Sequence, residues 1–195
     1  GGSGRPFSES DVTAVADLPF VEAASGILSG QANAVSEEAN WVTTIQGGSA
    51  SFFQVNNWKV DEGREFTEQE AQGGAAVVVI GKTAATNLFP DGNVIGQRIR
   101  VNGVPVEVIG ILESKGQGGG PGMGQDRDDT LVGPLSMVRN RITGGNRWVS
   151  RHVSRIQVLV QEGYDVAEAQ DEATTVMRER RRIEPGQQDN FMVVN

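Results

Sequence analysis

The sequence predicts a mixed α/β fold of the α+β class, helices laid on a sheet in two layers, and three observations predict it. Strict alternation of apolar and polar residues, as in SRIQVLVQ over 154–161, marks half-buried strands. The continuous apolar AAVVVIG of 75–81 marks a strand buried on both faces, and KTAATNLF follows it at once as a short helix. A longer helix from Asp165 to about Arg182 carries one apolar stripe, with acids near its start and arginines near its end.

Taken in order, SESDVTAVAD (8–17) offers a serine cap, early acids and apolar residues at Val12 and Val15, and so predicts a short helix that Pro19 ends. Two strands joined by a turn follow over 21–46, with Trp41, Thr43 and Ile45 on one face. Gly47-Gly48 is expected to break the second strand, Ser49 to cap SASFFQV, and Glu62-Gly63 to form a turn. Thr67 and Glu70 fit a capping box. The clearest hairpin is QRIRVNGVPVEVIGILE (97–113), because Asn102-Gly103 supplies the positive φ angles of a tight primed turn. Gly116–Gly124 reads as a projecting loop, since GQGGGPGMG cannot pack a core. PLSMVRNRI (134–142) predicts a short helix that begins at its proline, the stripe Val166, Ala169, Ala173, Val176 and Met177 places the long helix on a sheet, and FMVVN predicts a last strand.

With 195 residues, 37% of them hydrophobic, the chain can bury a real core. Its longest apolar run, Ala75 to Ile80, is far shorter than the roughly 18 to 20 residues of a membrane span. Gly1-Gly2-Ser3-Gly4 has neither the basic region nor the apolar stretch of a signal peptide and reads as an artificial linker, with native sequence expected from about Arg5. No cysteine is present, which excludes disulfides, thiolate metal sites and cysteine nucleophiles. One histidine, His152, cannot build an imidazole cluster within the chain. Net charge is −8, and residues 1–75 hold 11 acids and 3 bases against 14 and 14 in 76–195, so the excess lies in the first part. That balance opposes nucleic-acid binding, which needs a positive surface.

Several motifs fail a chemical test. Gly81-Lys82-Thr83 resembles the end of a phosphate loop, but the glycine that the motif needs is Ala76 and the intervening VVVI reads as strand, so a plain strand-to-helix turn is expected. Asp126, Asp128 and Asp129 resemble the start of a calcium loop, yet Thr130 and Leu131 stand where the next ligand and turn glycine belong. Solvated or capping acids are the better reading. RERRR (178–182) fans around a helix end, where the dipole already accounts for it. Nothing assembles a catalytic constellation, and no cofactor or metal site is expected. Trp148, among arginines in RWVSRHVSR, is a candidate partner contact beside a core-packing reading.

The segments DEGREFTEQE (61–70), VVVIGKTAATNLFPDGNVIGQRIRVNGVPVEVIGILESKGQ (77–117), GQDRDDTLVGPLSM (124–137) and RERRRIEPGQQDNFMVVN (178–195) occur in an order that closely resembles the extracytoplasmic core domain of MacB-like ABC transporter permeases, the FtsX-related family. The resemblance implies two lobes: a porter-like lobe from both chain ends, 5–46 with 151–195, and an inserted sabre-like lobe, 47–150. It also implies a place on the periplasmic or extracellular side of a bacterial membrane, a cytoplasmic ABC ATPase acting elsewhere, and a homodimer in the full-length transporter, with the isolated domain a monomer. In the efflux branch the domain works with a periplasmic adaptor, a membrane fusion protein. A lipoprotein-releasing permease and an FtsX-like module that activates a cell-wall hydrolase stay open as alternatives. The loop departs from the compact family pattern in its length and glycine content, and two readings of it stay open, a flexible partner contact and an unconstrained surface loop. If it is a contact, Gln117, Gly120, Met123 and Gln125 are its candidate residues, with Trp148 beside them.

Overall fold

Ser8 opens the first helix, α1 (Glu9–Ala16), with a capping box: its hydroxyl accepts from the Asp11 N–H at 3.3 Å, and the Asp11 carboxylate accepts from the Ser8 N–H at 2.9 Å. The structure is a computed structural model that describes residues 7–115, 126–143, 152–181 and 192–194. Strands β2 (Val21–Val35) and β3 (Asn40–Gly48) form a long antiparallel pair, from Leu28 opposite Gly47 to Val35 opposite Asn40.

The expected break at Gly47-Gly48 does not occur. Both glycines stay in the strand because they are paired there, Gly47 between Leu28 and Gly133 and Gly48 with Pro134; a Cβ on Gly47 would lie 2.8 Å from Val138 Cβ and one on Gly48 2.9 Å from the Phe52 ring, so their bareness admits neighbours. Ser49 does not cap the next helix. Its Oγ lies 2.8 Å from Ser51 Oγ, and α2 (Phe52–Val55) begins after Ser51 with no side-chain cap. The turn expected at Glu62-Gly63 is the end of a strand, β4 (Val60–Gly63), closed by Gly63 at φ 79°.

Thr67 caps α3 (Glu68–Gly73) through the box with Glu70, as the sequence indicates. Strand β5 (Val77–Ile80) passes directly into α4 (Lys82–Leu88), and the hairpin of β6 (Arg98–Val101) and β7 (Val104–Leu112) turns at Asn102 (φ 49°) and Gly103 (φ 84°). Then come β8 (Leu131–Pro134), α5 (Leu135–Met137) and a π-helical turn (Val138–Ile142), so PLSMVRNRI is two kinds of helix where the sequence suggests one. Strand β10 (Arg155–Val160), α6 (Val166–Arg181) and β11 (Met192–Val194) complete the order, with Asp165 accepting from the N–H groups of Ala167 and Glu168 at the head of α6. A two-residue strand β1 (Phe7–Ser8) pairs with β9 (His152–Val153).

The large mixed sheet runs β11-β10-β2-β3-β8-β5-β7-β4, with β6 also pairing β2 and β7. Strand β2 therefore meets β10 along its first half, β3 along its second and β6 at its tip. Helices α1 and α6 pack one apolar cluster on β10, including Phe7, Val15, Phe20, Ile156, Val158 and Met177. A second gathers Ile80, Leu88, Ile99 and Leu131 under α4, and a third joins Ile27, Phe52, Phe53, Trp58, Phe66 and Leu112. Each large side chain buried there contributes about 1.5–3 kcal/mol of transfer free energy. Phe53 stands edge-on to Phe52 and Phe66, with ring centroids 5.4 and 5.2 Å away.

Candidate interaction site

Gln117, Gly120, Met123, Gln125 and Trp148 all lie outside the described residues. What the structure describes is the pair of stems that carry 116–125, and these are fastened to each other. Asp128, buried, accepts from Ser114 Oγ at 2.6 Å and from the Lys115 N–H at 2.7 Å, so it grips the outgoing stem from the returning one. Asp126 accepts from the Asp128 N–H at 2.9 Å and from Thr83 Oγ1 at 2.5 Å, which ties the returning stem to α4. Asp129 reaches β3, where one carboxylate oxygen accepts from Trp41 Nε1 at 2.9 Å and Thr43 Oγ1 at 2.6 Å. Charge-assisted bonds of this kind are about twice as strong as neutral ones.

The same contacts account for the chemistry that the sequence rejects. The Thr83 and Ala84 amides at the start of α4, which a phosphate loop would turn to its ligand, donate to the Asp128 carbonyl at 3.1 and 3.4 Å. Gly81 is bare because a Cβ there would lie 2.2 Å from that carbonyl oxygen, and Lys82 Nζ pairs with Asp61 at 3.0 Å. The three aspartates point to different elements, and among the described residues no cluster of three or more carboxylate or histidine side chains could hold a metal.

The first and last described strands dock on one stretch of chain. Phe7 faces Val153 and Val194 faces Leu159, while α1 and α6 lie together on the same sheet face. Arg180 Nε pairs with Asp11 Oδ1 at 3.2 Å, a link that the dipole reading of RERRR missed, since no local pattern shows that the end of α6 meets the start of α1. A cleft of about 790 Å³ separates α1 from α3 and the π-helical turn. Across it Arg139, its side chain 7% exposed, reaches Glu9 with Nη1–Oε1 3.4 Å. The arrangement offers two stems clamped to each other and, among the described residues, a cleft spanned by the Arg139–Glu9 pair.

Residues 1–176 match the family described as the MacB-like periplasmic core domain. The chain belongs to this family. A macrolide export ATP-binding/permease protein MacB of Syntrophobacter fumaroxidans is 33% identical over 148 residues, which are 75% of this chain and 20% of that protein. This MacB-like domain thus spans about a fifth of that relative's length. Among solved structures, the periplasmic region of MacB from Actinobacillus actinomycetemcomitans superimposes with a TM-score of 0.74 at 22% identity, covering 90% of this chain and 75% of that one. The extracellular domain of the noncanonic ABC-type transporter YknZ from Gram-positive bacteria gives 0.72 at 20% identity, covering 92% and 86%. Both show the same mixed α/β fold. The family is described as a periplasmic core domain, and the relatives that share it here are named as export ATP-binding/permease proteins. Among the described residues of the MacB-like domain, no helix is long and apolar enough to cross a membrane.

Proposed function

We propose that this MacB-like domain is the extracytoplasmic, non-catalytic part of an ABC transporter permease and couples ATP-driven motion of membrane helices to export through a periplasmic adaptor. The observation that carries the reading is the family match joined to the docking of both described chain ends on β9 and β10. A displacement applied at either end moves α1, α6 and β10 together, because one apolar cluster and the Asp11–Arg180 pair hold them. In this reading 5–46 with 151–195 form a porter-like lobe at the membrane, and 47–150 form an inserted sabre-like lobe. The Glu9–Arg139 pair then spans the two, and the cleft beside it is where their relative tilt is taken up. The cytoplasmic ATPase and a second copy belong to the full-length transporter, and the contact with the adaptor is assigned to Gln117, Gly120, Met123, Gln125 and Trp148.

The test is a binding titration of the purified domain against the adaptor encoded nearest its gene, with a variant lacking 117–123 alongside. Saturable binding that weakens in the deletion variant, with both proteins folded, is the expected result. A folded domain that does not bind the adaptor but captures a cell-wall hydrolase would replace this reading with that of a regulatory module.

A further inference from the structure

A groove of about 650 Å³ lies on the sheet face away from α1 and α6, over the start of β10 and the middle of β2 and β3. Its floor follows from register. Ser29 stands opposite Gln46, Ile27 opposite Arg155 and Ser25 opposite Gln157, so Arg155, Gln157, Ser29 and Gln46 share one face. Lys115, Arg127, Asp126 and Asp129 stand at its walls.

Arg155 is the unusual member. Its Nη2 donates to Gln46 Oε1 at 3.3 Å, but its Nε is buried and has no hydrogen-bond partner. Burial alone pulls its pKa below the usual arginine value; no carboxylate among the described residues pairs with it. An N–H buried without a partner costs stability, while the rest of this partly exposed guanidinium stays within reach of the groove. The nearby acids are engaged elsewhere: Asp126 with Thr83 and the Asp128 N–H, Asp129 with Trp41 and Thr43. Gln157 is fixed as well, because its Oε1 accepts from Asn56 Nδ2 at 2.8 Å, which leaves its amide N–H groups to the groove.

We infer that this groove binds a carboxylate, with Arg155 as the charged anchor and the Gln157 amide as a second donor. Lys115, Arg127 and Arg155 against Asp126 and Asp129 leave one net positive charge, which matches a singly charged carboxylate better than a doubly charged phosphate. The volume lies within the roughly 300–1,000 Å³ of ligand pockets, so the carboxylate is carried on a larger body, a free organic acid or an acidic side chain of a peptide. The inference is independent of the adaptor reading, since none of the residues assigned to the adaptor takes part.

The test follows the Arg155 Nε–H resonance and the backbone amides of Gln46 and Gln157 by NMR in the whole chain. Sodium hexanoate and a blocked Gly-Glu-Gly-Ser peptide are the probes, with sodium chloride at equal ionic strength as control. At least one probe is expected to give saturable shifts that chloride does not. Arg155→Gln is expected to weaken that binding roughly ten- to hundred-fold, the usual consequence of losing a charged hydrogen bond. Arg155→Lys, which keeps the charge but lacks Nε, is expected to lose most of the binding too and serves if the glutamine variant does not fold. Tighter binding of the peptide identifies a protein-borne carboxylate, and tighter or equal binding of hexanoate a free acid. Shifts no larger than those with chloride, or binding undiminished in a folded variant, would overturn the inference.

Discussion

Glu70 shows how one carboxylate can serve two structures. It closes the capping box of α3 by accepting from the Thr67 N–H at 2.9 Å, and its two oxygens take the Arg64 guanidinium at 2.7 and 3.1 Å. The Arg64 hydrogen bonds, then the Thr67 N–H, pull its pKa from 4.5 down to about 2. A carboxylate depressed on folding stabilises the native state above its ordinary pKa, and the stabilisation is lost as pH falls from about 4.5 through 2. Arg64 is half-exposed, so solvent screening limits the gain to about 1 kcal/mol. Glu70→Gln, which preserves the cap's shape, is expected to cost about that much at neutral pH, with wild type and variant converging as urea midpoints are measured down toward pH 2. The box was legible because Thr67 and Glu70 are local; the fork to Arg64 was not, because no helical spacing links them. Asp129 is the stronger case. Its bond to Trp41 joins residues 88 apart in the chain, a separation at which composition and spacing carry no signal, so the sequence could only offer a solvated or capping acid.

At the scale of elements, local chemistry decided what could be read. The β6–β7 hairpin was plain because Asn102-Gly103 prescribes its turn, whereas the place of β8 was not: four residues containing Gly133 and Pro134 carry no local sign that β3 and β5 pair them on either side. The strand through Gly47-Gly48 was misread for a related reason, since the glycines answer to close neighbours that local sequence does not reveal. Gly103 tests the distinction. A Cβ there meets nothing within 4 Å, so Gly103→Ala carries only the conformational cost of φ 84° and is expected to lower stability by about 1 kcal/mol in chemical denaturation. A much larger loss would mean that the turn is held by contacts other than its own backbone.

For the whole molecule, the order of quoted segments was enough to indicate the family and the mixed fold, but not the order of strands, because pairing partners far apart in the chain leave no spacing to read. That order bears on how the domain can move. If the porter-like and sabre-like lobes were separate folding units, β10 with α6 could open while the hairpin stayed closed. The sheet argues otherwise: β2 joins β10 along its first half and β3 and β6 along its second, and β3 continues through β8 and β5 to β7. Opening either side strips hydrogen bonds from a strand that the other side needs. The backbone N–H groups of Val158 in β10 and Val108 in β7, both fully buried residues, are therefore expected to exchange with solvent deuterium through the same global opening and to show equal free energies. Under increasing urea the two values should fall with one slope, since slope measures the surface exposed. A lower value and a shallower slope at Val158 alone would show that the chain-end elements unfold separately, and the motion proposed to enter at the ends would then be absorbed there before reaching the clamped stems.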